Sequence, residues 1–251
     1  FSSMLTEGEA NFLAACRKGD LHEVKRVIQA EGASFNINCT DNFGATALIR
    51  ACCGGHTEIV ELLLKQKNIE VNKGPQGDSP LSSAIYGNTS ILKFLLSHPN
   101  IDVNKQPNVL SEACQLGNLE TVTCLLSHPE IDINKGEFEG SGTPLYTACT
   151  IGSEEIVDKL LSRPLIDVNK GGFGFTPLYA ACEWKHTNIV RTLTKHPDID
   201  LNKGVKKPID LVCTKKYRKL AVRLMFAGVK MPCDENHRKF LINLKINANN
   251  K

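Results

Sequence analysis

The chain has 251 residues, 41% of them hydrophobic, a formal net charge of +3 and ten cysteines. It contains no apolar run near the ~18 residues that a membrane-crossing helix requires and no signal-peptide pattern at its start. It also lacks any Gly-x-Ser-x-Gly, Walker, kinase or HExxH pattern that would point to catalysis or a metal.

The sequence begins at Phe1: either residues 1–3 precede a start at Met4, or the chain is a piece of a longer protein. Residues 1–38 carry two helical apolar faces, Ala14, Ala15 and Cys16 and then Val24, Val27 and Ile28, and close on Asn36-Ile37-Asn38. Residues 39–72 repeat the plan, with Thr46-Ala47-Leu48 at the first helix, Gly55-His56 in the turn and Glu70-Val71-Asn72 at the end. Residues 73–104 open their first helix with Ser79-Pro80-Leu81 and lose one turn residue at Gly87-Asn88. Residues 105–134 are short ahead of the first helix, where Asn108 is placed to N-cap. Residues 135–169 have the longest such segment and then Thr143-Pro144-Leu145.

Residues 170–202 show the plan most completely. Thr176-Pro177 opens a helix, because proline suits the first helical position. Leu178, Ala181 and Cys182 form one helical face, and Ile189, Val190 and Leu193 form the next. Residues 203–228 end at Ala227-Gly228, a helix C-cap. In residues 229–251, Asp234 is placed to N-cap a last helix with Phe240, Leu241 and Leu244 as its apolar face.

The asparagines that close successive units, from Asn38 to Asn202, step by 34, 32, 30, 35 and 33 residues. This period, with Thr-Pro-Leu opening the first helix, resembles the ankyrin-repeat family over nearly the whole chain. The resemblance implies an all-α solenoid of seven stacked helix-turn-helix repeats with short hairpin fingers, a single domain over 1–251, capped by residues 229–251. The His-Pro-x-Ile-Asp-Val-Asn phrasing is similar to the repeats of large protist ankyrin families. It also implies a non-catalytic protein–protein interaction module, a scaffold or adaptor that binds its partner on a concave face of fingers and first helices. Two alternatives stand beside it: the recognition arm of a larger enzyme or effector, and an anion-binding adaptor.

The cysteines fit packing better than chemistry. Cys16, Cys52, Cys114, Cys149, Cys182 and Cys213 share one position in the repeat, which Ile85 takes in the third. Stacked helices lie about 8–10 Å apart, too far for disulfides between successive copies. Neither metal nor cofactor is expected, and many free thiols imply a reducing, cytoplasmic setting. The chain is expected to be a monomer.

Three surface features are candidates for function. Lys73, Lys105, Lys135, Lys170 and Lys203 recur after the closing asparagines and would align in a row. From Lys203 to Lys251 there are thirteen Lys and Arg against three Asp and Glu, a net +10, which leaves −7 for residues 1–202. That end could take an acidic ligand: anionic lipid, nucleic acid or an acidic protein. The third feature is aromatic. Phe138, Phe173 and Phe175 lie in fingers, Tyr146 and Tyr179 occupy equivalent places on first helices, and Trp184, the single tryptophan, ends one of them. These six are the expected partner-binding residues, since aromatics anchor interfaces. Asn72, Asn104, Asn134 and Asn169 resemble the asparagines that hydroxylases modify in this family; their residue type also suits fixing a turn by side-chain hydrogen bonds.

Overall fold

The computed structural model describes residues 5–31, 35–106, 108–136, 142–212, 218–229, 235–236, 239 and 241–243. The described chain is helical, with isolated bridges at Thr40–Thr46 and Gly172–Phe175. Its helices are α1 (Glu7–Lys18), α2 (Leu21–Glu31), α3 (Ala47–Cys53), α4 (Thr57–Leu64), α5 (Pro80–Ala84), α6 (Thr89–Leu96), α7 (Val109–Gln115), α8 (Leu119–Leu126), α9 (Pro144–Ile151), α10 (Glu154–Leu161), α11 (Pro177–Glu183), α12 (Thr187–Leu193), α13 (Pro208–Val212) and α14 (Arg218–Phe226). Two compact units result: residues 1–109 with 123–131, and residues 110–122 with 132–251.

Helices this short are marginal in isolation and are held by packing. In the first unit α1 packs on α2, α3 on α4 and α5 on α6; α1, α3 and α5 form one layer, and α2, α4 and α6 the other. The second unit repeats the scheme, with α9, α11 and α13 in one layer and α10, α12 and α14 in the other. The apolar faces read from the sequence are the buried ones: Leu48, Ile59 and Leu63 in the first unit, Leu145, Ile156 and Leu160 in the second.

The first helices start where their caps dictate. Thr46, Thr143 and Thr176 each accept the N–H three residues on, at 3.2–3.3 Å, and Pro144 and Pro177 follow directly. α1 starts earlier in its unit than the others because Thr6 and Glu9 form a reciprocal capping box. Five first helices are followed by a left-handed residue three positions after the register cysteine: Gly19, Gly55, Gly117, Gly152 and Lys185; after α5 the equivalent residue, Asn88, has φ of -90° and N-caps α6 instead. His56 and His186 lie against the preceding turns, facing Gly19 and Gly152, and hydrogen-bond Arg17 O and Thr150 O at 3.1 and 3.2 Å.

The register cysteines Cys16, Cys52, Cys114, Cys149 and Cys182 are buried free thiols, and Ile85 is buried in the same place. Cys213 lies outside the described residues. Closing asparagines tie one extended segment to the next. Asn72 donates to Asn100 O at 2.7 Å and accepts from Asp102 N at 2.9 Å; Asn169 does the same to Asp198 O and Asp200 N, both at 2.7 Å. Of the expected C-terminal cap, Glu235, Asn236, Lys239 and residues 241–243 are helical, with Leu241 fully buried. Asp234, Phe240 and Leu244 lie outside the described residues.

Candidate functional site

The finger ahead of α11 is a two-residue hairpin. Gly172 and Phe175 exchange both backbone hydrogen bonds, at 3.1 and 2.8 Å. The residues between them, Phe173 and Gly174, have φ of 54° and 78°. Positive φ at both central positions is the type I′ turn, whose twist matches a hairpin and whose usual occupants are Asn and Gly. Phenylalanine in the left-handed region is strained by ~1–2 kcal/mol. It buries little in return, since Phe173 is 64% exposed.

Glycines let neighbouring fingers meet. A Cβ on Gly172 would stand 2.6 Å from Gly142 Cα, and one on Gly142 would stand 2.1 Å from Tyr146 Cδ1. Tyr146 lies against Gly142 and is half-buried. That burial, with the Glu183 carboxylate nearby, raises its phenol above the ordinary value. Phe175 stacks on Tyr179, ring centroids 4.8 Å apart, and Lys206 Nζ lies 5.9 Å from the Phe175 centroid. Val205 N donates to Gly174 O at 2.9 Å, joining the next finger. A groove of about 500 Å³ runs over these fingers, lined by Asn169, Phe173, Phe175, Lys203 and Val205 among others.

The expected aromatic residues therefore differ in setting. Phe173 and Trp184 are exposed, Trp184 by 59%, at opposite ends of α11. Phe175 and Tyr146 are half-buried, and Tyr179 is only 5% exposed, covered by Phe175. Phe138 lies outside the described residues.

Sequence reasoning passed over two features. Leu116 and Ile151, 46% and 48% exposed, hold the same position as Trp184, two residues after the register cysteine. α9 packs on α11, so Ile151 and Trp184 stand on the turns of neighbouring helices. The signal was an apolar residue at the same turn position in three successive units. The second feature is Phe43, the exposed counterpart of Phe173 in the first unit, three residues before the capping threonine; the Arg50 guanidinium lies 5.9 Å from its ring centroid.

The recurring lysines are partly tied down. Lys105 Nζ donates to Asn72 O at 2.7 Å, and Lys73 lies 3.5 Å from Glu70. The buried thiols are poor nucleophiles: desolvation pushes Cys16, Cys114 and Cys182 up to about 12.

Comparison with known proteins fits this geometry. The family described as "Ankyrin repeats (3 copies)" matches residues 12–107 and 110–204. The "Transient receptor potential protein" of Drosophila melanogaster is 40% identical over 70 residues, which are 27% of this chain and 5% of that protein. "Osteoclast-stimulating factor 1" of Bos taurus is 39% identical over 59 residues, 24% of this chain and 26% of that protein. The chain thus spans only a minor part of the length of these curated relatives. Among solved structures, the human ASB11 ankyrin repeat domain superposes with TM-score 0.68 at 25% identity, covering 87% of this chain and 98% of that one. The ankyrin repeat domain of Bcl-3 superposes with TM-score 0.72 at 21% identity, covering 82% and 95%.

Proposed function

The chain belongs to the ankyrin-repeat family, whose domains are protein–protein interaction modules, and from that premise we propose that its partner docks on the second unit across α11, from the finger at Phe173 to the turn at Trp184. The observation that carries this reading is Phe173 itself: a large apolar side chain held exposed in a strained backbone conformation. Strain of this kind persists where the site has a use for it. Trp184, with Ile151 and Leu116 in the same register, extends the apolar surface over successive turns. Phe175, Tyr146 and Tyr179 support the finger from beneath.

The module acts by binding, without catalysis of its own, and its buried thiols suit a reducing cytoplasmic setting. Central aromatic side chains of such interfaces cost ~2 kcal/mol or more when truncated. Phe173→Ala and Trp184→Ala should each weaken partner binding by that amount with the helical circular dichroism unchanged. Wild-type affinity in both variants would refute the assignment.

A further inference from the structure

In the second-helix layer of the second unit the charge changes sign. α10 carries Glu154, Glu155 and Asp158, and Glu154 accepts from Asn188 Nδ2 at 2.8 Å. α12 and α14 have no acidic residue in their first turns. Between these two helices lies a groove of about 530 Å³, flanked by Arg191 and Lys195 on one side and Lys219 and Arg223 on the other, with Val222 and Phe226 also lining it. Among the described residues, none of the four cations has a carboxylate within ion-pair distance.

Helix electrostatics accounts for only half of this arrangement. Arg191 and Arg223 lie in last turns, where the helix dipole favours cations. Lys219 sits in the first turn of α14, where the dipole opposes it. It also repels Arg223 four residues on, on the same helix face. Beside them Phe226 is 62% exposed. Unpaired charge and exposed aromatic surface in one groove are both relieved by a ligand that carries carboxylates outside and apolar side chains inside.

We propose that the α12–α14 groove is a second docking site, separate from the finger surface, and that it takes an acidic amphipathic helix of a partner protein. Two facing helices offer a groove into which the ridge of a third helix packs, with axes about 8–10 Å apart. A helix with an apolar stripe would set it against Val222 and Phe226, and acidic residues on its flanks would reach the cations on both rims. A nucleic-acid backbone would satisfy the cations and leave the apolar side chains uncovered. A bilayer surface is flat, whereas half-buried Val222 lines the groove together with the four cations.

The test uses the full chain and a fluorescein-labelled 15-residue helical peptide with glutamates flanking a leucine stripe. Fluorescence anisotropy should show binding that weakens steeply between 50 and 300 mM salt. The Lys219→Glu/Arg223→Glu variant should bind at least tenfold more weakly with its circular dichroism unchanged. Should that variant fail to fold, Arg191→Glu/Lys195→Glu on the opposite rim must show the same loss. Equal binding of a peptide with every glutamate replaced by glutamine would overturn the proposal. So would undiminished binding by the charge-reversed variants, or binding confined to phosphatidylserine vesicles or to single-stranded RNA.

Discussion

Asn134 and Asp167 are joined across successive extended segments: the Asn134 side-chain carbonyl accepts from the Asp167 backbone N–H at 2.8 Å, while its amide donates to Leu165 O at 2.6 Å. One carboxamide thus satisfies a donor and an acceptor that no helix or sheet ladder serves. Asp167 Oδ1 in turn accepts from Asn169 N at 2.9 Å, and Asn169 makes the next link. Truncating Asn134 to Ala breaks two bonds at a partly exposed site, where water replaces them in part. A loss of about 1–2 kcal/mol is expected from urea titration. Asn134→Asp removes only the donor and should cost less at acid pH, where the carboxyl can donate, than at neutral pH.

A second link is ionic. Arg50 donates to Asp41 Oδ2 through Nε at 2.7 Å and again through a terminal guanidinium nitrogen; Asp41 Oδ1 accepts from Phe43 N and Ala45 N at 2.9 and 3.1 Å. Burial works to raise the Asp41 carboxyl, but Arg50 and the two backbone donors outweigh it and hold it below its ordinary value. A depressed carboxyl stabilises the fold above its unfolded pKa, and that contribution fades as pH falls through the folded one. Asp41→Asn should therefore be less stable than wild type at pH 7, and the gap should close below about pH 4. A gap that widens in acid would show the linkage to be misassigned.

The thiols differ sharply by position. Cys53 is exposed, while its neighbour Cys52 is fully buried and pushed far up by desolvation. Treatment of the folded chain with iodoacetamide at pH 8, followed by peptide mapping, should label Cys53 and spare Cys52, Cys149 and Cys182 until urea is added. Cys182→Ser should destabilise by ~1–3 kcal/mol, because a buried hydroxyl without a partner retains its desolvation cost.

The Phe173 turn separates stability from binding. Phe173→Asn would create Asn-Gly, the preferred pair for a type I′ turn. It should raise stability by about 1 kcal/mol through relief of left-handed strain, read as a higher thermal midpoint, while weakening partner binding. A lowered midpoint would mean that Phe173 contributes packing that outweighs its strain.

Much of the fold was legible because it repeats. The Thr-Pro-Leu caps, the cysteine register and the closing asparagines each recur at a fixed place, so a single physical cause leaves several copies in the sequence. The site was less legible because exposure is set by neighbours. Tyr146 and Tyr179 hold equivalent positions, yet Phe175 covers Tyr179 and leaves it more deeply buried than Tyr146. The strain at Phe173 depends on a two-residue hairpin, which the finger length suggests but does not specify. Leu116 and Ile151 read as ordinary apolar residues until their shared position with Trp184 is seen to face outward.

The central claim, that a partner covers the surface from Phe173 to Trp184, has a reporter already in place. Trp184 is the only tryptophan in the chain and is largely exposed. Its emission should be followed while the chain is titrated with a tryptophan-free fragment of the partner recovered from the native host. The account predicts a blue-shifted maximum and a severalfold fall in acrylamide quenching at saturation. Emission and quenching that remain those of the free chain, with binding complete by an independent readout, would contradict it.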